Sequence, residues 1–269
     1  MRADKPIAFV KRDFAIERSY RLAFLMRLAG MFLGIASFFF VSRLVGDAAN
    51  PYLADYNGDY FGFVLVGIAF VSIQGVGLGS FSSAISGAQA QGTLEAMLVT
   101  PTRLSTIILS SSVWNFAWTT VTVLLYLIIG ALFFGANLGN VNVPTTLVVL
   151  ALTSLVFSGV GILSASVIMV LKRGDPVSWA FGSVSSFVGG TYFPVTVFPV
   201  WLQSIARIFP IYWGLHAMRE AVLNGATLAE VSTDVLVLAA FAAVILPISI
   251  WAFRVGVRVA KTDGTLGAY

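Results

Sequence analysis

The order of charged and apolar positions divides the chain into long uncharged stretches. Between Arg103 and Lys172 lie 68 consecutive residues without a charge, enough for two membrane helices of about 20 residues each. Polar and apolar residues do not alternate with period 2, so the pattern favours helices over the strands of a membrane barrel. The uncharged windows and the turn residues between them predict six membrane-spanning helices, over residues 22–45, 60–81, 104–134, 145–171, 177–193 and 235–253.

The composition supports this prediction. Of the 269 residues, 58% are hydrophobic and 10% are charged, against roughly 25% charged residues in an ordinary soluble domain. This balance excludes a water-soluble fold and predicts an all-α, polytopic membrane protein. We interpret residues 1–269 as one transmembrane domain, with the six spans over 22–253 and a cytoplasmic tail over 254–269.

The distribution of Lys and Arg predicts the orientation in the membrane. With six spans, 13 of the 16 basic residues fall on one side and 3 on the other, namely Arg43, Arg207 and Arg219. Because basic residues are enriched on the cytoplasmic side, both termini are expected to be cytoplasmic. The same asymmetry accounts for the net charge of +4 without a nucleic acid partner. Residues 1–21, which mix basic and apolar positions, are expected to form an interfacial helix, with a solvated basic tail as the alternative.

The absence of reactive residues limits the mechanism. Asp, Glu and Lys do not occur inside the uncharged windows, which disfavours a secondary carrier coupled to protons or sodium. With no cysteine and one histidine, His216, neither a metal site nor a catalytic cluster is expected. An integral-membrane enzyme would have to be centred on His216, Arg219 and Glu220 at the outer interface. None of the four lysines completes a Gly-rich phosphate loop, so the chain is not expected to bind ATP by that route.

The loop after the second predicted span has the pattern of a short, mostly apolar helix. Thr93 can cap this helix, Glu95 complements its dipole and Pro101 ends it. Its apolar face consists of Leu94, Met97 and Leu98. From this pattern alone, docking on another protein and folding back onto the chain's own bundle are equally favoured.

The loop after the fifth predicted span is apolar but interrupted by prolines. Pro194, Pro199 and Pro210 exclude one continuous helix. Short helices that dip into the outer leaflet fit this composition, and an aromatic belt at the interface is the alternative. Small residues also recur four positions apart at Gly30 and Gly34 and at Gly75 and Gly79, a spacing that allows close helix contact.

Together, the two loops carry a resemblance to a known family. The motif residues are Gly92, Thr93, Leu94, Glu95, Leu98, Thr100 and Pro101 in the first loop, and Gly189, Gly190, Tyr192, Phe193, Pro194, Pro199, Pro210, Arg219, Asn224 and Gly225 in the second. With the number and placement of the spans, they make the chain resemble the membrane subunit of type-2 ABC exporters. That family includes bacterial drug, polysaccharide and lipid-linked glycan exporters.

The resemblance implies partners and a division of labour. The chain would be a permease rather than an enzyme, working as a dimer, expected to be a homodimer, with a separate ABC ATPase that binds ATP and Mg²⁺. The ATPase would dock on a coupling helix formed by Gly92, Thr93, Leu94, Glu95, Met97, Leu98, Thr100 and Pro101. External re-entrant helices would gate the path with Tyr192, Phe193, Pro194, Pro199, Pro210 and Arg219. The expected location is the inner (plasma) membrane of a bacterium or archaeon.

The aromatic residues suggest where the cargo passes. Trp114, Trp118, Tyr126 and Phe187 are candidates for lining the path, although aromatic side chains also face lipid or fill cores. The lack of buried charge favours a neutral, lipidic or amphiphilic cargo, such as a glycan-type molecule or a drug, over a small ion.

Overall fold

The computed structural model describes residues 21–46, 51–56, 59–90, 104–171 and 175–262. Within these ranges the secondary structure is entirely helical, which confirms the predicted all-α class. The long helices are α1 (Arg21–Val45), α2 (Tyr60–Ala90), α3 (Leu104–Phe134), α4 (Val143–Leu171) and α8 (Ser232–Thr262). Three shorter helices lie between α4 and α8: α5 (Pro176–Val188), α6 (Val200–Ala206) and α7 (Pro210–Arg219).

Five helices in the described ranges are long and apolar enough to cross a membrane: α1, α2, α3, α4 and α8. The remaining predicted span, residues 177–193, corresponds to α5, which has 13 residues. At about 1.5 Å per residue this helix is about 20 Å long, less than the roughly 30 Å of a hydrocarbon core. It ends at Val188 because Gly189 and Gly190 form a turn, with a φ of 78° at Gly190. The six-span topology therefore stays a prediction.

Helices α2 and α4 form the core of the bundle, and α8 packs along α4. In α2, 72% of the most apolar window is buried, against 11% in α1, which packs at the periphery. Close contact between α2 and α4 depends on glycine, because a Cβ at Gly161 would overlap the carbonyl oxygen of Gly77. The aromatic rings of Phe70 and Phe157 meet edge to face beside this crossing and add packing energy to it.

Two long helices extend beyond the predicted spans, because neither the end of an apolar stretch nor a charged residue necessarily ends a helix. Helix α2 continues past Phe81 to Ala90, and α8 continues to Thr262, through residues 254–262 that the sequence assigned to the tail. Residues 1–20 of the predicted interfacial helix, and the predicted coupling helix with Gly92, Thr93, Leu94, Glu95, Met97, Leu98, Thr100 and Pro101, lie outside the described residues. The region between α5 and α8 is broken into short helices, as its prolines predict: Pro199 precedes α6 and Pro210 begins α7.

Helix α7 contacts the first turns of three long helices. It runs directly into a π-helical turn, Glu220–Asn224, and residues of α7 or of this turn contact the starts of α2, α4 and α8. We call this end of the bundle the α7 end. The opposite end holds the last turns of α2 and α4 and the beginning of α5.

Candidate functional site

A groove of about 360 Å³ lies between α2 and α5. Gly75 and Gly79 form its wall on α2, and the Trp179 side chain, 74% exposed, stands on its α5 side. Polar groups of Gln74, Ser183 and Ser186 also line it. Among the described residues that line the groove none is charged, so the groove combines an apolar surface with neutral hydrogen-bonding groups. Such a surface suits an uncharged, amphiphilic ligand.

Gln74 joins the two walls of the groove. Its side chain is 2% exposed in the middle of α2. The amide Nε2 donates to Oγ of Ser185 at 2.6 Å, and the Oε1 accepts from Oγ of Ser186 at 2.9 Å. Because a buried amide left without partners costs about 1–3 kcal/mol, these bonds hold α5 against α2.

Arg219, the last residue of α7, is buried at the α7 end, with 4% of its surface exposed. Its Nε donates to the carbonyl of Phe63 at 3.2 Å, and its Nη2 donates to the carbonyls of Gly190 and Thr191, both at 3.0 Å. The guanidinium also lies 3.4 Å from the centre of the Phe63 ring, a cation–π arrangement. Burial lowers the pKa of Arg219 to about 9, so the side chain remains charged near neutral pH. One side chain thus ties α7 and the turn after α5 to the start of α2.

Two glycines make room for this arrangement. Gly190 adopts a φ of 78°, a left-handed conformation that glycine adopts without strain. A Cβ at Gly67 would overlap the carbonyl oxygen of Thr191 and lie 3.0 Å from Nη2 of Arg219. The turn after α5 can therefore approach α2 closely only because position 67 has no side chain.

Asn142 ties the π-helical turn to the start of α4. Its side-chain oxygen accepts from the backbone N–H of Thr145 at 3.2 Å and so caps α4. Its backbone N–H donates to the carbonyl of Ala221 at 2.8 Å, and its Nδ2 donates to that of Gly225 at 3.3 Å. Carbonyl groups in and just after the π-helical turn thus accept hydrogen bonds from Asn142 at the start of α4.

His216 of α7 pairs with Asp234 in the first turn of α8. Nδ1 of His216 lies 2.9 Å from a carboxylate oxygen of Asp234, and the side chains are 44% and 7% exposed. The hydrogen bond to Asp234 raises the pKa of His216, and the nearby charge of Glu220 acts in the same direction, while burial and Arg219 oppose it. The charged groups around His216 are therefore Asp234 from α8 and Arg219 and Glu220 from its own segment.

This pair predicts a pH-dependent stability. A raised pKa in the folded state means that the stabilising contribution is fully present below the unfolded pKa, near 6.5, and is lost as the pH rises through the folded value. We expect His216→Gln to lower stability at about pH 6 by about 0.5 kcal/mol, since solvent screens a half-exposed pair. At about pH 8.5 a smaller fraction of His216 is protonated, so the variant should differ less from the wild type than at pH 6.

Melting curves of the detergent-solubilised protein at both pH values test this prediction. Glu230→Gln is the matched control, because this exposed carboxylate bonds only to Thr227 in the described contacts. An equal loss of stability in His216→Gln at both pH values would contradict the role of protonation.

The predicted gate residues gather at the α7 end. The ring of Tyr192 stacks on Phe38 of α1 at 5.5 Å, and its carbonyl accepts from the hydroxyl of Tyr60 at 3.1 Å. The ring of Phe193 meets those of Phe187 and Phe198 at 5.8 and 5.3 Å. Pro194, Pro199 and Pro210 each stand directly before or at the start of a short helix.

The predicted path residues are more scattered. Trp118 lies against Phe24 and Arg27 of α1, and Tyr126 packs against the apolar core. Phe187 is exposed on α5, above the groove in the direction of the α7 end, while the groove itself is lined by other residues. The side chain of Trp114 lies outside the described part of the structure. Sequence reasoning did not single out Gln74, Asn142, Asp175 or Asp234. Gln74 could have been identified from the sequence, because it places an amide in an otherwise apolar predicted span.

Comparison with known proteins gives two matches. The sequence model described as "ABC-2 type transporter" matches residues 7–223, which include both walls of the groove, the π-helical turn up to Leu223 and residues 91–103. A linearmycin resistance permease protein, LnrN of Bacillus subtilis (strain 168), is 30% identical over 121 residues. This alignment covers 45% of the present chain and 31% of the length of LnrN.

Proposed function

The chain belongs to the ABC-2 type transporter family, and from this premise we propose that it is the permease subunit of an ATP-driven exporter. The energy would come from a separate ABC ATPase that binds ATP and Mg²⁺. The family match over residues 7–223 carries the proposal. The lack of a phosphate-binding loop in the sequence agrees with it.

The proposed complex contains two permease chains, most simply identical, and two ATPase subunits. ATPase docking is assigned to the predicted coupling helix, 92–101, on the cytoplasmic side. The chain would cross the inner (plasma) membrane of a bacterium or archaeon with both termini in the cytoplasm, and the α7 end would face outwards. The short helices α6 and α7 would then be the external re-entrant helices that gate the path.

The groove between α2 and α5 is the proposed contact surface for cargo. Its neutral lining supports an uncharged or amphiphilic cargo, since an ion would find no countercharge there. LnrN is named for resistance to linearmycin, and this likeness favours a drug-type cargo over a glycan.

An enzyme at the outer interface is less well supported. It would need His216 and Arg219 to act on a substrate, whereas His216 is bonded to Asp234 and Arg219 is buried against three backbone carbonyls. Under the export proposal, His216→Gln should keep export at neutral pH. A secondary carrier would lose transport when the proton gradient collapses, while the proposed exporter would not.

The test is ATP-dependent resistance to linearmycin, used as the probe cargo. Cells that express the chain with its cognate ATPase should survive better than cells with either subunit alone. Gly75→Leu should remove this protection, because position 75 is exposed in the groove and a Cβ there meets nothing within 4 Å. The leucine side chain is therefore expected to occupy the groove rather than displace neighbouring residues.

Gly30→Leu is the matched control, since a Cβ on this exposed glycine of α1 also meets nothing within 4 Å. It should leave protection unchanged. Equal protection by Gly75→Leu and the wild type would rule out the groove as the cargo site. Protection that persists without the ATPase, or that disappears with the proton gradient, would reject the ABC export mechanism.

A further inference from the structure

Asp175 and the first turn of α5, which it caps, bond to two other helices at the end of the bundle opposite α7. Asp175 caps α5, because its Oδ1 accepts from the backbone N–H of Ser178 at 2.9 Å, and Pro176 follows it at the first helical position. The same oxygen accepts a hydrogen bond from Oγ of Ser164 in α4. A helix cap would need only the first of these bonds.

The third helix in the cluster is α2. Oγ of Ser178, in the turn that Asp175 caps, donates to the carbonyl of Leu78 at 3.1 Å, and the nearby hydroxyl of Ser82 donates to the carbonyls of Leu78 and Gly79. Burial acts to raise the pKa of Asp175, but hydrogen bonds, chiefly those from Ser164 and Ser178, outweigh it and lower the pKa. The group is therefore charged at neutral pH, and hydrogen bonds to a charged group are about twice as strong as neutral ones.

Helix α5 is attached to the apolar core through Val177 and Phe181, but its contact with α2 has few apolar side chains. Its buried residues are Ser185 and Val188, and its Trp179 and Phe187 side chains are largely exposed. The face towards α2 is rich in serine and glycine, so apolar interlocking on that face is weak. On that face, the polar links between the two walls of the groove are the bonds of Gln74 and the bond from Ser178, in the turn that Asp175 caps.

The Asp175 cluster also lies near the segment proposed to meet the ATPase. Ser82 stands eight residues before Ala90, the last residue of α2, which corresponds to about 12 Å of helix. The predicted coupling helix, 92–101, follows directly in the sequence. A displacement of this part of α2 would reach Asp175 before it reaches the groove.

We propose that Asp175 is a positioning residue that locks α5 to α2 and α4, so that both walls of the cargo groove move as one body with the ATPase-facing end of α2. This role in transport rests on the proposed function. The locking itself is a property of the chain alone, and it can be measured without ATPase or cargo.

The absence of native cysteine makes a distance measurement direct. Spin labels at Ser83→Cys on α2 and Ser183→Cys on α5, both exposed positions, report the separation of the two helices in the full-length protein. We expect one narrow distance distribution in the otherwise wild-type chain. Asp175→Ala should give a broad or split distribution, and Asp175→Asn should largely restore the narrow one, because an amide oxygen can still accept from Ser178 and Ser164.

Asp59→Ala is the matched control, since Asp59 caps α2 at the α7 end by accepting from the N–H of Gly62 at 2.9 Å. It should leave the distance distribution narrow. If Asp175→Ala does not fold, Ser164→Ala removes one bond of the cluster while keeping the helix cap, and should broaden the distribution partly. A narrow, unshifted distribution in Asp175→Ala, or in Ser164→Ala where only that variant folds, would overturn the proposal.

Export and ATP hydrolysis by the complex with the ATPase test the role of Asp175 in transport. There, Asp175→Ala should lose most export while retaining ATP hydrolysis, and Asp59→Ala should keep the wild-type ratio of export to hydrolysis. Parallel losses of export and hydrolysis in Asp175→Ala would count against the locking role. A wild-type complex that shows no ATP-driven export would instead refute the proposed function, and the distance measurement would still decide the role of Asp175.

Discussion

Replacing Leu98 with Asp is expected to separate the permease from its ATPase. Leu98 lies on the predicted apolar face of the coupling helix with Leu94 and Met97. A carboxylate in the centre of such a contact must lose its hydration without gaining a partner, and central interface residues often contribute about 2 kcal/mol or more. The ATPase should therefore no longer co-purify with the variant, and ATP-dependent export should be lost.

Ala96→Asp is the matched control for this experiment. In a helix over residues 92–100, position 96 is turned away from the face that holds Leu94, Met97 and Leu98. The same charge there should leave co-purification unchanged. Retention of the ATPase by Leu98→Asp would show that the segment does not dock, and ATP hydrolysis by the purified permease alone would refute the division of labour.

The long helices could be predicted because the bilayer imposes a simple rule on sequence. Predicted spans beginning at positions 22, 60 and 104 correspond to helices beginning at Arg21, Tyr60 and Leu104. The far ends were predicted less well. Helix α2 runs to Ala90 through small and polar residues that no longer fit a hydrophobic window but contain neither proline nor charge. Helix α8 continues past Arg254 and Arg258, whose charges end the apolar stretch without ending the helix.

The polar connections between helices could not be predicted from local patterns. Arg219 bonds to the carbonyl of Phe63, 156 positions away in the sequence, and Gln74 bonds to Ser185, 111 positions away. In the sequence, Arg219 counted as one of three basic residues outside the membrane, a place where arginine is usually solvated. Its burial depends on carbonyls that become available only when the Gly189–Gly190 turn meets α2.

The connections at the α7 end differ in strength and in their response to conditions. Asn142 contributes neutral bonds to α4, and His216 contributes a pH-dependent pair with α8. Arg219 is charged, almost fully buried and bonded to two separate segments. The contacts of Arg219 are therefore expected to be the most costly of the three to break.

Arg219→Gln is therefore expected to be the most destabilising substitution at the α7 end. Three carbonyls would lose a charged donor, and each unsatisfied buried group costs about 1–3 kcal/mol, so a total near 3 kcal/mol is expected after partial compensation by the shorter amide. The melting temperature in detergent should fall by about 10 °C. Arg219→Lys should fall between the wild type and Arg219→Gln, because a lysine keeps the charge but cannot bond in the planar geometry of a guanidinium or stack on Phe63 in the same way.

Two further variants distinguish the loss of the Arg219 contacts from a general effect of losing an arginine. Arg207→Gln removes an exposed arginine from the same region and should melt like the wild type. Gly67→Ala keeps Arg219 but adds a methyl group where the carbonyl of Thr191 lies, and should also release the turn after α5. A cysteine at Thr196, an exposed position in that segment, should react faster with a water-soluble maleimide in both Arg219→Gln and Gly67→Ala than in the parent chain. If Arg219→Gln has the same melting temperature and the same labelling rate at position 196 as Arg207→Gln, the buried guanidinium does not hold the turn after α5 in place.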